Sequence, residues 1–183
     1  MNPAETEQAL KAARRGEQTA YRCLFEAFSP LVFGTAMRFA ESTAEAEELT
    51  QDIFFKAFGA LETYNNSIAS FATWLRRIAY NTCVSYLRSA PQLPYKLLDE
   101  GQTLPEEQVT NESADPEESR IEMLMSAVET LPPEEQHLLT LRYFESLNLQ
   151  EMAYITNLSP AALSSRLNRI RNKLHKILTR PAS

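Results

Sequence analysis

Apolar residues recur at helical spacing along most of this chain, and polar or proline-bearing stretches separate one run from the next. Ala4 to Arg15 reads as a short amphipathic helix ended near Gly16. Thr19 to Phe28 reads as a second, with Tyr21, Leu24, Phe25 and Phe28 inward, and Ser29-Pro30 starts a third running to about Phe39. From Glu41 to Leu61 the stripe Ala46, Leu49, Ile53, Ala57, Ala60 predicts another helix, opened by a capping box of Ser42 and Glu45. Leu61 to Ser70 is a loop by its Asn, Ser and Tyr content. Ser70 then caps a helix from Phe71 to Arg88 that turns Phe71, Leu75, Ile78, Thr82 and Tyr86 inward. Pro91 to Pro116 breaks the pattern: it is acidic and proline-containing, and reads as a linker. Asp115-Pro116-Glu117-Glu118 caps a further helix to Leu131.

The last third carries the sharpest local signals. Pro133 suits the first turn of a helix. Asn148 with Glu151 makes a capping box for the next helix, and Ser159 followed by Pro160 caps the last. The TNLS between these two is a tight turn, so the pair reads as a helix-turn-helix. In the last helix Leu163, Leu167, Ile170, Leu174 and Ile177 form the buried stripe. Ser165, Asn168, Arg169, Asn172 and Lys176 lie opposite, flanked by Arg166, Arg171 and Lys173, and no acid comes after Glu151. Such a helix suits a DNA major groove: Arg and Lys meet phosphates, while Asn, Ser and Arg reach base edges.

Composition narrows the class. The chain of 183 residues has only four glycines and no alternating apolar run, which points to an all-α protein. Its net charge of −6 sits badly with DNA binding until its distribution is considered. Acids crowd Glu41 to Asp52 and Asp99 to Glu122, and bases crowd Arg76 to Lys96 and Arg166 to Arg180. Cys23 and Cys83 lie within apolar helical patterns without CxxC spacing, and are expected to be reduced core thiols of a cytoplasmic protein. His137 and His175 have no metal-ligand spacing to a partner, and no apolar run is long enough for a membrane span or patterned as a signal peptide. No phosphate loop, nucleophile elbow or zinc motif occurs, so neither catalysis, a metal nor a cofactor is expected.

Two other helices carry more than packing. Opposite the stripe of the 41–61 helix stand Glu45, Glu48, Gln51 and Asp52 with Phe55 near their centre. An aromatic ringed by charge is how a binding hot spot looks, and its partner should be basic. On the 71–88 helix, Trp74, Arg77, Asn81 and Arg88 share a second line beside the loop bearing Tyr64, Asn65 and Asn66. Aromatics stack unpaired bases, cations hold the backbone, and a splayed-out base needs a polar pocket. On that helix alone, a boundary tryptophan with solvated arginines explains the pattern equally well.

EAEELTQDIFFKAF, the loop, FATWLRRIAYNTCVSYLR, the acidic linker and LPPEEQHLLTLRYFESLNLQEMAYITNLSPAALSSRLNRIRNKL together resemble, in content and order, the extracytoplasmic-function group of bacterial sigma-seventy-type factors from Ala20 to Leu178. The resemblance implies two small helical domains: residues 1–90 as region two and 117–183 as the region-four helix-turn-helix, joined by an acidic linker over 91–116. It implies a subunit that binds core RNA polymerase and directs it to promoter DNA, with no active site of its own. Glu45, Glu48, Leu49, Gln51, Asp52 and Phe55 would then touch the polymerase clamp. Tyr64, Asn65, Asn66 and Ser67, with Trp74, Arg77, Asn81 and Arg88, would melt the minus-ten element and hold an unpaired base. Ala161, Ser164, Ser165, Arg166, Asn168, Arg169, Arg171 and Lys173 would read the minus-thirty-five element. The family is commonly held inactive by an anti-sigma partner.

Asn157 stands where the family more often has a turn glycine, and Ala162 and Ser164 where it has a threonine and a lysine. A stand-alone helix-turn-helix regulator, or a sigma-like adaptor or antagonist that binds only protein, would share much of this pattern. Neither reading needs both polymerase and promoter.

Overall fold

The computed structural model of the protein describes residues 1–89 and 116–179. Among them there is no strand, and eight α-helices succeed one another: α1 (Pro3–Arg14), α2 (Gln18–Ala36), α3 (Thr43–Gly59), α4 (Phe71–Ser89), α5 (Pro116–Glu129), α6 (Pro133–Leu139), α7 (Leu149–Thr156) and α8 (Pro160–Leu178). The linker expected over 91–116 lies, but for its last residue, outside the described residues. So does Asp115, the expected cap of α5.

The first four helices form one bundle, with α2 against α1, α3 and α4, and the last four a second in which α5, α6 and α7 meet α8. Leu24, Ile53 and Leu75 are fully buried in the first, and Leu138, Leu141, Met152, Ile155, Leu163 and Ile170 in the second. Each such side chain contributes roughly 1.5–3 kcal/mol relative to exposure. The apolar cluster continues from one bundle into the other, because α4 packs on α7.

Local chemistry sets the helix ends as the sequence implies. Gly16 closes α1 at φ +84. The Asn148 side chain accepts from the backbone N–H groups of Gln150 and Glu151, and Glu151 accepts from Asn148 N in return. Asn157 takes the left-handed conformation at φ 58 that a turn glycine would supply, and the Ser159 hydroxyl accepts from Ala162 N. At α3 only half of the capping box forms. Ser42 accepts from Glu45 N, but the Glu45 carboxylate reaches past the cap to accept from Glu41 N at 2.9 Å.

Two further expectations are corrected. The two helices expected over 19–39 are one, α2, which runs through Pro30. Proline forfeits a helical hydrogen bond and strains the preceding turn, at about 3 kcal/mol. Burial of Leu24 on one side and of Val32 and Ala36 on the other offsets this, while Pro30 itself faces solvent. Second, Cys23 is exposed, and only Cys83 is a core thiol, its pKa pushed up to about 12 by burial. The helix opened by Pro133 is short, and as α-helix it ends at Leu139. Thr140–Phe144 widens into a π turn, with Glu145 N donating five residues back to the Thr140 carbonyl at 3.0 Å. Ser146 then takes φ 54, and the Arg142 guanidinium donates to the Leu147 carbonyl at 2.9 Å.

Candidate functional site

The acidic face of α3 is presented as the sequence implies. Phe55 is 80% exposed, with Glu48, Gln51 and Asp52 exposed around it. Asp52 is paired with Lys56 at 2.6 Å. Glu45 is engaged inside the domain: besides Glu41 N, it accepts from the Tyr86 hydroxyl at 3.0 Å, a bond that raises the Tyr86 pKa. Leu49 does not belong to this face. It is 6% exposed, packed with Ala36 and Ala46, so it cannot reach a partner without leaving the core. Helical spacing turns Phe25 inward, but its ring is exposed and leans on Phe54, centroids 4.7 Å apart. With Pro30, Phe33, Thr50 and Gln51 it lines an apolar trough of about 470 Å³ between α2 and α3, adjoining the acidic face.

The loop before α4 is shaped by a residue that sequence reasoning passed over. The Arg14 guanidinium donates to the Tyr64 carbonyl at 2.8 Å and to the Leu61 carbonyl at 3.4 Å, tying the loop to α1. Asn65 accepts from Ser67 N at 2.9 Å in a local turn, and Asn65, Asn66 and Ser67 are exposed. Together with Glu7, Arg14, Glu62 and Thr63 the loop lines a polar cavity of about 390 Å³. Arg14 was not findable from spacing, because it acts across 50 residues of chain.

Tyr64 and Trp74 do not present open ring faces. Tyr64 is 8% and Trp74 6% exposed, and both rings pack with Phe71 in the core. Burial, with Glu7 adding to it, raises the Tyr64 pKa. Arg77 and Asn81, on the outer side of α4, are half-buried because the second bundle meets them. The Arg77 guanidinium lies 4.7 Å from the centre of the Tyr154 ring, and Asn157 Nδ2 donates to Asn81 Oδ1 at 3.3 Å. Arg76 pairs with Glu145, and the Tyr80 ring stacks on His137. Of the expected α4 line, Arg88 alone is exposed.

On α8 the expected outer face is open: Ala161, Ser164, Ser165, Asn168, Arg169 and Arg171 are all exposed. Arg171 reaches Asn168 Oδ1 only at 3.5 Å. Two of the expected cations are occupied within the bundle. Arg166 donates to Glu134 at 3.1 Å, and Lys173 donates to both oxygens of Glu135 at 2.8 and 2.9 Å. The first-turn acids of α6 therefore neutralise one flank of α8 and leave Arg169 as a cation with no ion-pair partner among the described residues. Among the described residues no group of side chains could hold a metal ion, and no helix is long and apolar enough to cross a membrane.

The family model for Sigma-70 region 2 matches residues 24–91, and that for Sigma-70 region 4 matches residues 121–174. The RNA polymerase sigma-H factor of Pseudomonas aeruginosa is 27% identical, over 95% of this chain and 94% of that one. The ECF RNA polymerase sigma-E factor of Escherichia coli is also 27% identical, over 98% of this chain and the whole of that one. The solved structure of CnrH, in complex with the cytosolic domain of CnrY, shares the fold with a TM-score of 0.64 and 19% identity, covering 97% of this chain and 99% of that one. Both regions match in order, and the relatives align over nearly their full length. The chain therefore belongs to the extracytoplasmic-function group of sigma-70 factors, the subunits through which RNA polymerase is directed to start transcription.

Proposed function

We propose that three surfaces divide the work. Glu48, Gln51, Asp52 and Phe55 of α3, extended by the apolar trough beside Phe25, dock on a basic, partly apolar ridge of core polymerase. The observation that carries this is the exposed Phe55 ring, set among acids on a helix whose other side is core. A large ring left in water within a charged rim stabilises nothing in the monomer and gains on burial against a partner.

The outer face of α8 reads the minus-thirty-five element. Arg169 and Arg171 meet phosphate or base, and Ser164, Ser165 and Asn168 face base edges, with Ala161 offering a small apolar contact. Arg166 and Lys173 add phosphate contacts only by exchanging Glu134 and Glu135 for DNA. At the minus-ten element the polar cavity of Asn65 and Asn66, with Ser67 at its lip, takes the unpaired base, and Arg77, Asn81 and Arg88 track the separated strand. Trp74 and Tyr64 hold the frame of that pocket from behind. The chain supplies no reacting group, works in the cytoplasm where polymerase is, and takes an anti-sigma protein as its regulator.

Run-off transcription with purified core polymerase on a promoter library tests the reading. Promoter-dependent transcripts that appear only with this chain are the expected result. A footprint on a palindrome without polymerase, and no transcript with it, would replace it by a stand-alone regulator.

A further inference from the structure

The part of α4 assigned to the minus-ten strand is covered in the free chain by the second bundle. Arg77 is capped by the Tyr154 ring, Asn81 by Asn157, and Arg76 by Glu145, all three partners lying between the π turn and the start of α8. Arg77 and Asn81 are thus covered, while Arg88, the loop of Asn65, Asn66 and Ser67, and the outer face of α8 stay open.

The closed arrangement cannot serve both promoter elements at once. α8 stands one helix layer from α4, since α7 packs on both, and packed helices are about 8–10 Å apart. Elements named minus ten and minus thirty-five lie about 25 base pairs apart, roughly 85 Å of duplex. Opening is therefore a condition of promoter engagement.

One residue holds the covering surface in a chemically conditional way. His137 of α6 is 1% exposed and sits between two rings of the first bundle, stacked on Tyr80 at 5.4 Å and 17° and edge-on to Phe39 at 5.6 Å. Neither ring nitrogen has a hydrogen-bond partner among the described residues. Arg38 and Arg76 face it from the first bundle, and Glu134, which acts on neighbouring Tyr80, is engaged with Arg166. Such a ring packs well when neutral. A second proton would bring an unsolvated charge beside two guanidinium groups.

We propose that the helix-turn-helix bundle is an intramolecular cover for Arg77 and Asn81 of the chain's own minus-ten surface, pinned by neutral His137, and that protonation of His137 releases it. This rests on the proposed assignment of α4 to promoter DNA. The pin has the right sign for release by acid. Burial, and then Arg38 and Arg76, hold the His137 pKa down to about 3 when closed, against 6.5 for a solvated imidazole. Closure is thus fully favoured above pH 6.5, and is disfavoured roughly tenfold further for each unit below it.

The test uses the full chain with donor and acceptor dyes on exposed Cys23 and on a thiol placed by His175→Cys, which also leaves His137 as the sole histidine. Energy transfer is monitored from pH 8 to 5, together with binding of a forked minus-ten oligonucleotide. Expected are high transfer at pH 8, loss of transfer below about pH 6.5, and a pH-flat high signal for His137→Phe, or His137→Leu if phenylalanine is too large. Glu145→Arg should open the chain at pH 8 and raise fork binding at least tenfold, and Arg76→Glu with Glu145→Arg should close it again. Low transfer at pH 8 in the chain carrying His175→Cys alone overturns the cover. A pH response that survives in the His137 variants overturns the pin. Opening by Glu145→Arg without a gain in fork binding overturns the masking of α4. Run-off transcription is measured in parallel: its failure sinks the promoter assignment and leaves the transfer measurements standing.

Discussion

The Trp74 indole lies stacked against the Phe71 ring, centroids 5.5 Å apart and planes 29° apart, with the Tyr64 ring 5.5 Å from each of them. This places the chain's sole tryptophan in the core of the first bundle and gives it a role in stability. Trp74→Ala is expected to cost about 3–5 kcal/mol in unfolding free energy, measured by urea titration. A change within about 0.5 kcal/mol, the size usual for surface positions, would show that the indole is dispensable to packing and return it to the DNA surface.

Phe55 makes the opposite prediction. Being 80% exposed, it contributes little to the fold, and Phe55→Ala combined with Asp52→Ala should leave the melting curve in place. Affinity for core polymerase should fall at least about tenfold, the loss of a modest hot spot. Equal retention of variant and wild type on immobilised polymerase would remove α3 from the interface.

The ion pairs on α8 separate two arginine and lysine positions that look alike in sequence. Arg169 is free of an ion pair among the described residues, while Lys173 is held by both oxygens of Glu135. Arg169→Ala should weaken holoenzyme binding to promoter and flatten its dependence on log salt by about one. Lys173→Ala should do clearly less, because DNA must first displace Glu135. Equal slopes for the two variants would show that the α6 acids do not compete with phosphate.

The thiols should react on different scales. Cys23 is exposed, whereas Cys83 is buried with its pKa pushed up to about 12, so the thiolate is scarce at neutral pH. One thiol per chain should be modified by a disulfide reagent under native conditions and two after denaturation. Rapid modification of both in the native protein would mean that α4 opens readily.

How much of the structure was legible in the sequence depends on the range over which each signal acts. The caps at Asn148 and Ser159 and the left-handed Asn157 depend on partners within four residues, and all three stand as read. The α8 stripe and the exposed Phe55 derive from helical periodicity and stand as well. The failures involve distant partners. Nothing local in Ser29-Pro30 says that packing on both sides will carry a helix through it. Spacing put Trp74 on a different line from Phe71 and Leu75, yet α4 is covered from two sides, so Trp74 is buried and Arg77 and Asn81 on its line are half-buried. Arg14 holds the Tyr64 loop from another helix, and the Arg77, Asn81 and Arg76 contacts join bundles far apart in sequence. The periodicity of one helix reports how many faces it has, not how many neighbours it will meet.

The widened turn at Thr140–Phe144 gives the molecule an adjustment that neither bundle's surface encodes. Removing a single residue there would let the stretch wind as ordinary helix and rotate the chain beyond it by about 100°, the angle between successive residues. Glu145 would swing away from Arg76, and Glu134 and Glu135 of α6 would lose Arg166 and Lys173 of α8. A one-codon change of length at this point would thus undo the packing inside the second bundle as well as its seat on the first.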